Sequence, residues 1–361
     1  MNSLRSFIRK TLVLLLMMVL PVLSSAQEKG WGRVKEALGE LNSMNTDYIE
    51  PQRYNFTVML QATTAYDIFT IRSSDGQQLT LAPDLTLKVG PYMGWRWMFL
   101  GYTFDLKNIG FSGGKFKRQF DLSFYSSMVG VDLHYRRTGD DYKLRNANLG
   151  DDVDVSKLEG TSFAGVSAGI TGIDAYYIFN HKKFSYPAAF SQSTLQKVSC
   201  GSFIAGAGYT KNTLELDYEK LQETIDQSCG YGVVKLDSGL MFNKVQYHDI
   251  SLSAGYAYNF VFPHHWLVGV SGQAALAYKK STGNIDPSLN LNDGFTFENV
   301  NVDGIGRFAL VYNNMRWYAG ASAIVHTNSY RKSRFYTSNI FGSINIYVGY
   351  NFGLKKKYRT T

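Results

Sequence analysis

Hydrophobic and polar residues alternate with a period of two along most of the chain after Tyr54. The alternation is most regular from Phe335 to Leu354. There Tyr336, Ile340, Ile344, Ile346, Val348, Tyr350, Phe352 and Leu354 share one parity, and Thr337, Asn339, Ser343, Asn345 and Asn351 share the other. A period of two is a strand with one apolar and one polar face. In a soluble sandwich the apolar face turns inward; in a transmembrane barrel it faces lipid while the polar face lines the lumen. Further up the chain, Tyr54, Phe56, Val58, Leu60, Ala62, Tyr66 and Ile68 oppose Asn55, Thr57, Gln61, Thr63 and Asp67. Next, Leu79, Leu81, Leu85, Leu87 and Val89 oppose Thr80, Asp84, Thr86 and Lys88. A parity slip at Ser126-Ser127 marks a turn between two strands, since parity within one strand changes only at a bulge. Strands are then predicted at 163–178, 198–209, 246–260, 266–279, 297–312 and 316–326, before the last.

The connections between these strands sort into two kinds. Reversals at Gly94, Ser127, Pro263-His264-His265 and Asn313-Asn314 are tight, whereas 107–117, 137–161, 210–245 and 281–296 are long. Short turns on one side and long loops on the other are the signature of an outer-membrane barrel. Aromatic residues gather at strand ends, as at Tyr92, Trp95, Trp97, Trp266 and Trp317, which fits an interfacial girdle. The expectation is an all-β chain forming a single antiparallel transmembrane β-barrel of about 12 strands, with 10 and 14 as the alternatives.

Composition supports many strands turning many corners: 25 Tyr, 23 Phe and 34 Gly against 7 Pro in 361 residues. Residues 1–26 read as a cleaved signal peptide. A basic start precedes an apolar run from Leu12 to Leu23, too short to span a bilayer as a helix, and Ser24-Ser25-Ala26 supplies the small residues of a cleavage site. No cysteine follows that site, so a lipid anchor is not indicated. The leader implies export across the inner membrane and places the barrel in the cell outer membrane. It is followed by a periplasmic N-terminal segment at 27–50, with Trp31, Val34, Leu38 and Leu41 at helical spacing, then the barrel at 51–354 and a basic tail at 355–361. Of the formal charge of +8, Arg5, Arg9 and Lys10 belong to the leader, leaving about +5 on the remainder. That mild excess, without a basic helix or an aromatic-basic motif, suits anionic lipid headgroups and not nucleic acid.

Candidate chemistry is sparse. Asp132, His134 and Arg136 share the lumen parity of one strand, and Asp303 and Arg307 that of another. With Asp84 and Lys88 they are the candidate lumen-lining residues. Mixed charges inside a barrel form either a selective pore or a plug of ion pairs. His264 and His265 are adjacent at a turn, where neighbouring side chains diverge, so a shared metal is not expected. His326 near Ser329 and His248 near Asp249 form no recognisable hydrolase motif, and no catalytic residue or cofactor is assigned. An exported chain permits a disulfide between Cys200 and Cys229, but Cys200 falls near the periplasmic end of a strand and Cys229 in an external loop, which argues against a bridge that needs Cα atoms within about 7 Å and leaves their pairing open.

Tyr347-Val348-Gly349-Tyr350-Asn351-Phe352-Gly353-Leu354 looks like the C-terminal signal read by the barrel assembly machinery, although a basic tail follows it. The stretch Phe179-Asn180-His181-Lys182-Lys183-Phe184-Ser185-Tyr186, with Gln196-Lys197, Ser199 to Ser202 and Phe120 to Tyr135, resembles a family of Bacteroidetes outer-membrane proteins, domain of unknown function 4421. The resemblance runs from about Asp47 to the C-terminus, with Cys200 where a smaller residue is expected. It implies an outer-membrane β-barrel with no established activity. The function expected is a non-enzymatic channel or binding barrel for a small or lipidic solute, in contact with outer-membrane lipid. A membrane-embedded hydrolase or acyltransferase, and a structural or adhesive barrel acting through its external loops, are the alternatives.

Overall fold

The computed structural model describes residues 43–95, 98–101, 104–105, 118–137, 141–150, 153–281, 299–332 and 335–359. The leader, the helical spacing at Trp31 to Leu41, Trp97, the 107–117 connection and most of 281–296 lie outside them. The strands are β1 Ile49–Pro51, β2 Tyr54–Ser73, β3 Gln78–Pro83, β4 Thr86–Trp95, β5 Met98–Gly101, β6 Phe104–Asp105, β7 Arg118–Tyr125, β8 Val129–Arg137, β9 Tyr142–Asn148, β10 Val166–Ile178, β11 Thr194–Gln196, β12 Cys200–Leu216, β13 Lys244–Phe262, β14 Trp266–Ser281, β15 Val300–Asn313, β16 Trp317–Lys332 and β17 Phe335–Leu354. Among the described residues, two α-helices interrupt them, α1 Tyr186–Phe190 and α2 Tyr218–Cys229.

Among the described residues, twelve antiparallel strands follow one path, β5-β4-β2-β17-β16-β15-β14-β13-β12-β10-β8-β7, with β3, β6 and β9 attached beside it. The ends of that path, β5 and β7, are close neighbours in sequence. The first long strand pairs with the last from Tyr54↔Leu354 to Ser73↔Phe335, as the alternation in both predicts. The architecture is a single antiparallel β-barrel.

Strand β14 shows how pattern becomes wall. Leu267, Ala275, Ala277 and Lys279 are buried inside, while Trp266, Val270 and Leu276 face outward, with Tyr278 and Lys280 closing the outward row. From Trp266 to Tyr278 is about 40 Å of strand, which at a tilt of about 45° crosses about 30 Å, the depth of a bilayer's hydrocarbon. Around the barrel, Phe203, Ile250, Leu252, Leu276, Val302 and Ile346 are between 62% and 69% exposed. Trp95, Phe262, Trp266 and Trp317 ring the end where the tight turns lie. Such a belt with an aromatic rim is what lipid solvates.

The tight turns have local causes. Asn313 Oδ1 accepts from Met315 N–H at 2.8 Å, and Asn314 Oδ1 accepts from Trp317 N–H at 2.7 Å, pinning the β15–β16 reversal around the positive φ of Met315. Ser126 Oγ likewise accepts from Val129 N–H at 2.9 Å in the β7–β8 turn. At β13–β14, His264 and His265 both take positive φ, 61° and 68°, to complete a three-residue turn.

The connections at 137–161 and 210–245 are built, not loose, over their described residues. Residues 142–148, expected as loop, form β9 and pair with β3, and β12 runs on to Leu216 before α2 begins. Leu79, Leu81, Tyr142, Leu144, Phe163, Leu221, Ile225, Leu236 and Tyr247 join one apolar cluster that roofs the outer end. Sequence alternation misses β9 because its few apolar positions sit among Lys, Arg and Asn. It misses α2 because only Leu221 and Ile225 of its helical face are apolar and buried. Asp84 ties this roof to the wall: between β3 and β4 it pairs with Lys143 at 2.8 Å and Arg145 at 2.7 Å.

Two predictions follow from the wall and the roof. Ile346→Arg should destabilise the barrel by about 2–4 kcal/mol in reversible urea unfolding from vesicles, because it sets a cation at mid-belt. Hydrogen bonds from Lys143 and then Arg145 hold the Asp84 carboxyl down at about 2. A depressed carboxyl stabilises above its unfolded value near 4 and stops doing so as pH falls through about 2. Protection of β9 amides, measured by hydrogen exchange, should therefore hold at neutral pH and fall between pH 4 and 2, and Asp84→Asn should lower it already at pH 7.

Candidate functional site

Between β10 and β12 the chain does not make a simple turn but enters the barrel. Ser185 caps α1, its Oγ accepting from Ala188 N–H at 3.2 Å and bonding Thr194 Oγ1 at 2.6 Å. Pro187 suits the first turn of this five-residue helix, where its missing N–H costs nothing. Gln192, at φ 52°, turns the chain back into β11. Gln196 then stitches the segment together: its Oε1 accepts from Ser185 N–H at 2.8 Å and its Nε2 donates to Lys183 O at 2.7 Å. Phe184, Tyr186, Ala188 and Ala189 are buried, so the segment is a plug.

Strands distant in sequence grip this plug. Tyr186 OH donates to Ser271 Oγ at 2.8 Å, Asn259 Nδ2 donates to Ser185 O at 2.7 Å, and Gln192 Nε2 donates to Tyr347 OH at 2.7 Å. Ala189 packs so close to Gly269 that a Cβ there would stand 2.7 Å from it, which is why the wall carries glycine at that point. Arg307 lies over the rings of Tyr176 and Tyr186, donates to Tyr186 OH at 3.2 Å and meets Asp132 Oδ2 at 2.5 Å. The plug's tip therefore rests on a buried chain of Asp132, Arg307, Tyr186 and Ser271.

Above the plug lies a second polar layer. Lys279 Nζ is fully buried between Asp303 at 2.6 Å and Asp249 at 3.3 Å, and donates to Ser329 O at 2.7 Å. The rings of His134 and His326 meet edge-on at 4.7 Å, His326 stacks on Phe341 at 4.9 Å, and His134 Nε2 stands 3.8 Å from Asp174. Arg136 lies over Phe341 at 5.0 Å. A cavity of about 30 Å³ remains here, bordered by His134, Asp174, Asp249, Asp303 and His326. That is room for a water or two and no more.

Of the sequence candidates, Asp132, His134, Arg136, Asp303 and Arg307 all point inward and are buried. They divide between the two layers: Asp132 and Arg307 hold the plug, while His134, Arg136 and Asp303 belong to the layer above. Lys88 pairs in register with Thr63, whose Oγ1 bonds inward to Asn345, so it occupies the lumen face. Asp84 is not in the lumen: the strand breaks after Pro83, and its half-exposed side chain turns to the external β9. Lys279 and Asp249 are the central residues that sequence reasoning passes over. Parity alone puts both on the inward face, but their partnership across three strands leaves no local trace.

Neither hydrolase-like pair comes together. His326 points into the barrel while Ser329 Oγ donates to Val302 O on the other face. His248 meets Tyr209 OH at 2.7 Å outside, and Asp249 meets Lys279 inside. Cys200 starts β12 and Cys229 ends α2, at opposite ends of the barrel, and both are free.

Removing one member of the plug's ion pair should be severe. Arg307→Met leaves Asp132 buried and uncompensated and should cost about 3–5 kcal/mol in urea unfolding. Adding Asp132→Leu should recover most of that loss, since the burden is the orphaned charge.

Comparison with solved structures returns outer-membrane barrels. The outer membrane protease OmpT from Escherichia coli matches at 7% identity and a TM-score of 0.36, over 85% of this chain and 100% of that one. The translocator domain of the autotransporter NalP from Neisseria meningitidis matches at 11% and 0.29, over 93% and 99%. The toluene transporter TodX of P. putida matches at 8% and 0.24, over 83% and 91%. These likenesses concern fold and bring no activity to this chain. No curated protein matches. A family profile described as Domain of unknown function (DUF4421) matches residues 44–352, and the chain belongs to that family.

Proposed function

We propose that this protein is a barrel of the cell outer membrane, exported by the leader at 1–26, which holds a small or lipidic solute without catalysing a reaction and does not conduct freely at rest. The observation that carries the reading is the plug, gripped by Asn259, Ser271, Arg307 and Tyr347 from four different strands. An apolar roof at the other end and an ion-paired layer between them leave no wide aqueous path among the described residues. The lipid-facing belt and the aromatic rim support the membrane setting. Outer-membrane lipid and, during biogenesis, the barrel assembly machinery are the partners this reading requires, with β17 presenting the terminal strand.

Planar-bilayer recording tests it. The full chain should be electrically silent, and a variant with residues 185–196 replaced by a Gly-Ser linker of equal length should give stepwise conductance. Steady conductance by the unaltered protein would overturn the closed reading.

A further inference from the structure

Toward the long connections, the outward face of the wall changes from apolar to basic. Arg137 stands on β8, Lys211 on β12, Lys280 on β14, Arg331 on β16 and Arg72 on β2, which are alternate strands of the path around the barrel. Their neighbours Arg136, Asn212, Lys279, Tyr330 and Ile71 are all buried inside, so by the strand period the five basic side chains face out. Register joins them into a row. Lys211 pairs with His248 and His248 with Lys280, while Arg331 pairs with Tyr336 and Tyr336 with Arg72.

The row lies at one height. Lys280 and Arg331 each stand fourteen residues beyond the aromatic rim at the tight turns, counted from Trp266 and Trp317. That is about 47 Å of strand, which at a tilt of about 45° rises about 33 Å, just past the hydrocarbon at about 30 Å. The cations therefore meet the lipid headgroups at the end that carries the long connections.

Their charges are available there. Among the described residues none of the five forms an ion pair, and Glu215, two outward positions beyond Lys211 on β12, is held by Lys244 at 2.7 Å. Between the two lysines Tyr209 OH and His248 Nδ1 meet at 2.7 Å. Whichever of the two donates in that bond, the pair keeps one further O–H or N–H to give. Cations set on alternate strands, with neutral donors between them, match an anion that carries several oxygens. Directly below, Ile250, Leu252 and Leu276 are between 63% and 69% exposed.

We infer that this row binds the phosphates of the phosphorylated glycolipid of the outer leaflet, whose acyl chains lie along Ile250, Leu252 and Leu276. Phosphate is the chemistry recognised; continuity with the apolar belt makes a lipid, and not a free phosphate, its source. The inference rests on the membrane reading above.

Native mass spectrometry of the full chain released from phosphatidylcholine nanodiscs tests it, with lipid A and its dephosphorylated form added in equal amounts. The phosphorylated form should be retained in preference. Lys211→Ala/Lys280→Ala should lower that preference by about tenfold, Lys211→Arg/Lys280→Arg should keep it, and adding Arg72→Ala/Arg331→Ala to the first pair should abolish it. All four side chains face outward, so heat-modifiable gel mobility should be unchanged. Equal retention of the two forms by the unaltered protein, or undiminished preference in the fourfold variant, would overturn the inference. So would complete displacement of the lipid by millimolar inorganic phosphate, which would give the row to the free anion. Failure to enter nanodiscs at all would instead refute the membrane reading, so the two failures are distinguishable.

Discussion

Pairing of β2 with β17 is the constraint from which the rest follows. A sheet in hydrocarbon cannot leave an edge, because every unpaired amide or carbonyl there costs several kcal/mol. The register that joins Tyr54 to Leu354 and Ser73 to Phe335 removes the edge between the first and last long strands. It also fixes parity: once these two strands are in register, each residue of either is committed to lipid or lumen, and a slip by one would expose Asn345 and bury Ile346.

Closure creates an interior that must then be filled. This chain fills it in three ways at three heights: an apolar roof made from the long connections, ion pairs around Lys279 in the middle, and an inserted segment near the tight turns. The middle layer is where burial is most demanding. A cation as enclosed as Lys279 is tolerable only because two carboxylates and a carbonyl surround it, and the same logic couples Arg307 to Asp132. The ion pairs hold the barrel closed from within, so charged residues that in an open pore would meet water here meet one another.

Much of the wall could be read from the sequence, because lipid imposes a rule on every second residue. The boundaries of β17 coincide with the alternation at both ends, and the inward parity of Asp132, His134, Arg136, Asp303 and Arg307 is plain. What parity cannot register is a break. Asp84 follows Pro83, which ends β3, and the residues after it start a new strand, so counting by two across that point assigns it to the lumen. Nor does it register partnership: Tyr186 meets Ser271 and Arg307, and Gln192 meets Tyr347, through contacts that no local pattern encodes. The segment from Phe184 to Gln196 falls between the predicted strands at 163–178 and 198–209, and its role comes from the strands around it.

One feature of the plug bears on how force would travel through the molecule. Strand β1 pairs with β11 in a two-stranded sheet of its own, apart from the barrel wall. Asn45 N–H donates to Lys182 O at 2.8 Å, Lys197 Nζ donates to Thr46 O at 3.1 Å, and Ile49 is buried, all before the chain reaches β2 at Tyr54. Tension on the N-terminal segment is therefore delivered to the plug before it reaches the wall. Three residue pairs resist it on the plug side, against twenty residues of β2 locked between two neighbours on the other. Mechanically the N-terminus is a handle on the plug, and the barrel is the frame it pulls against.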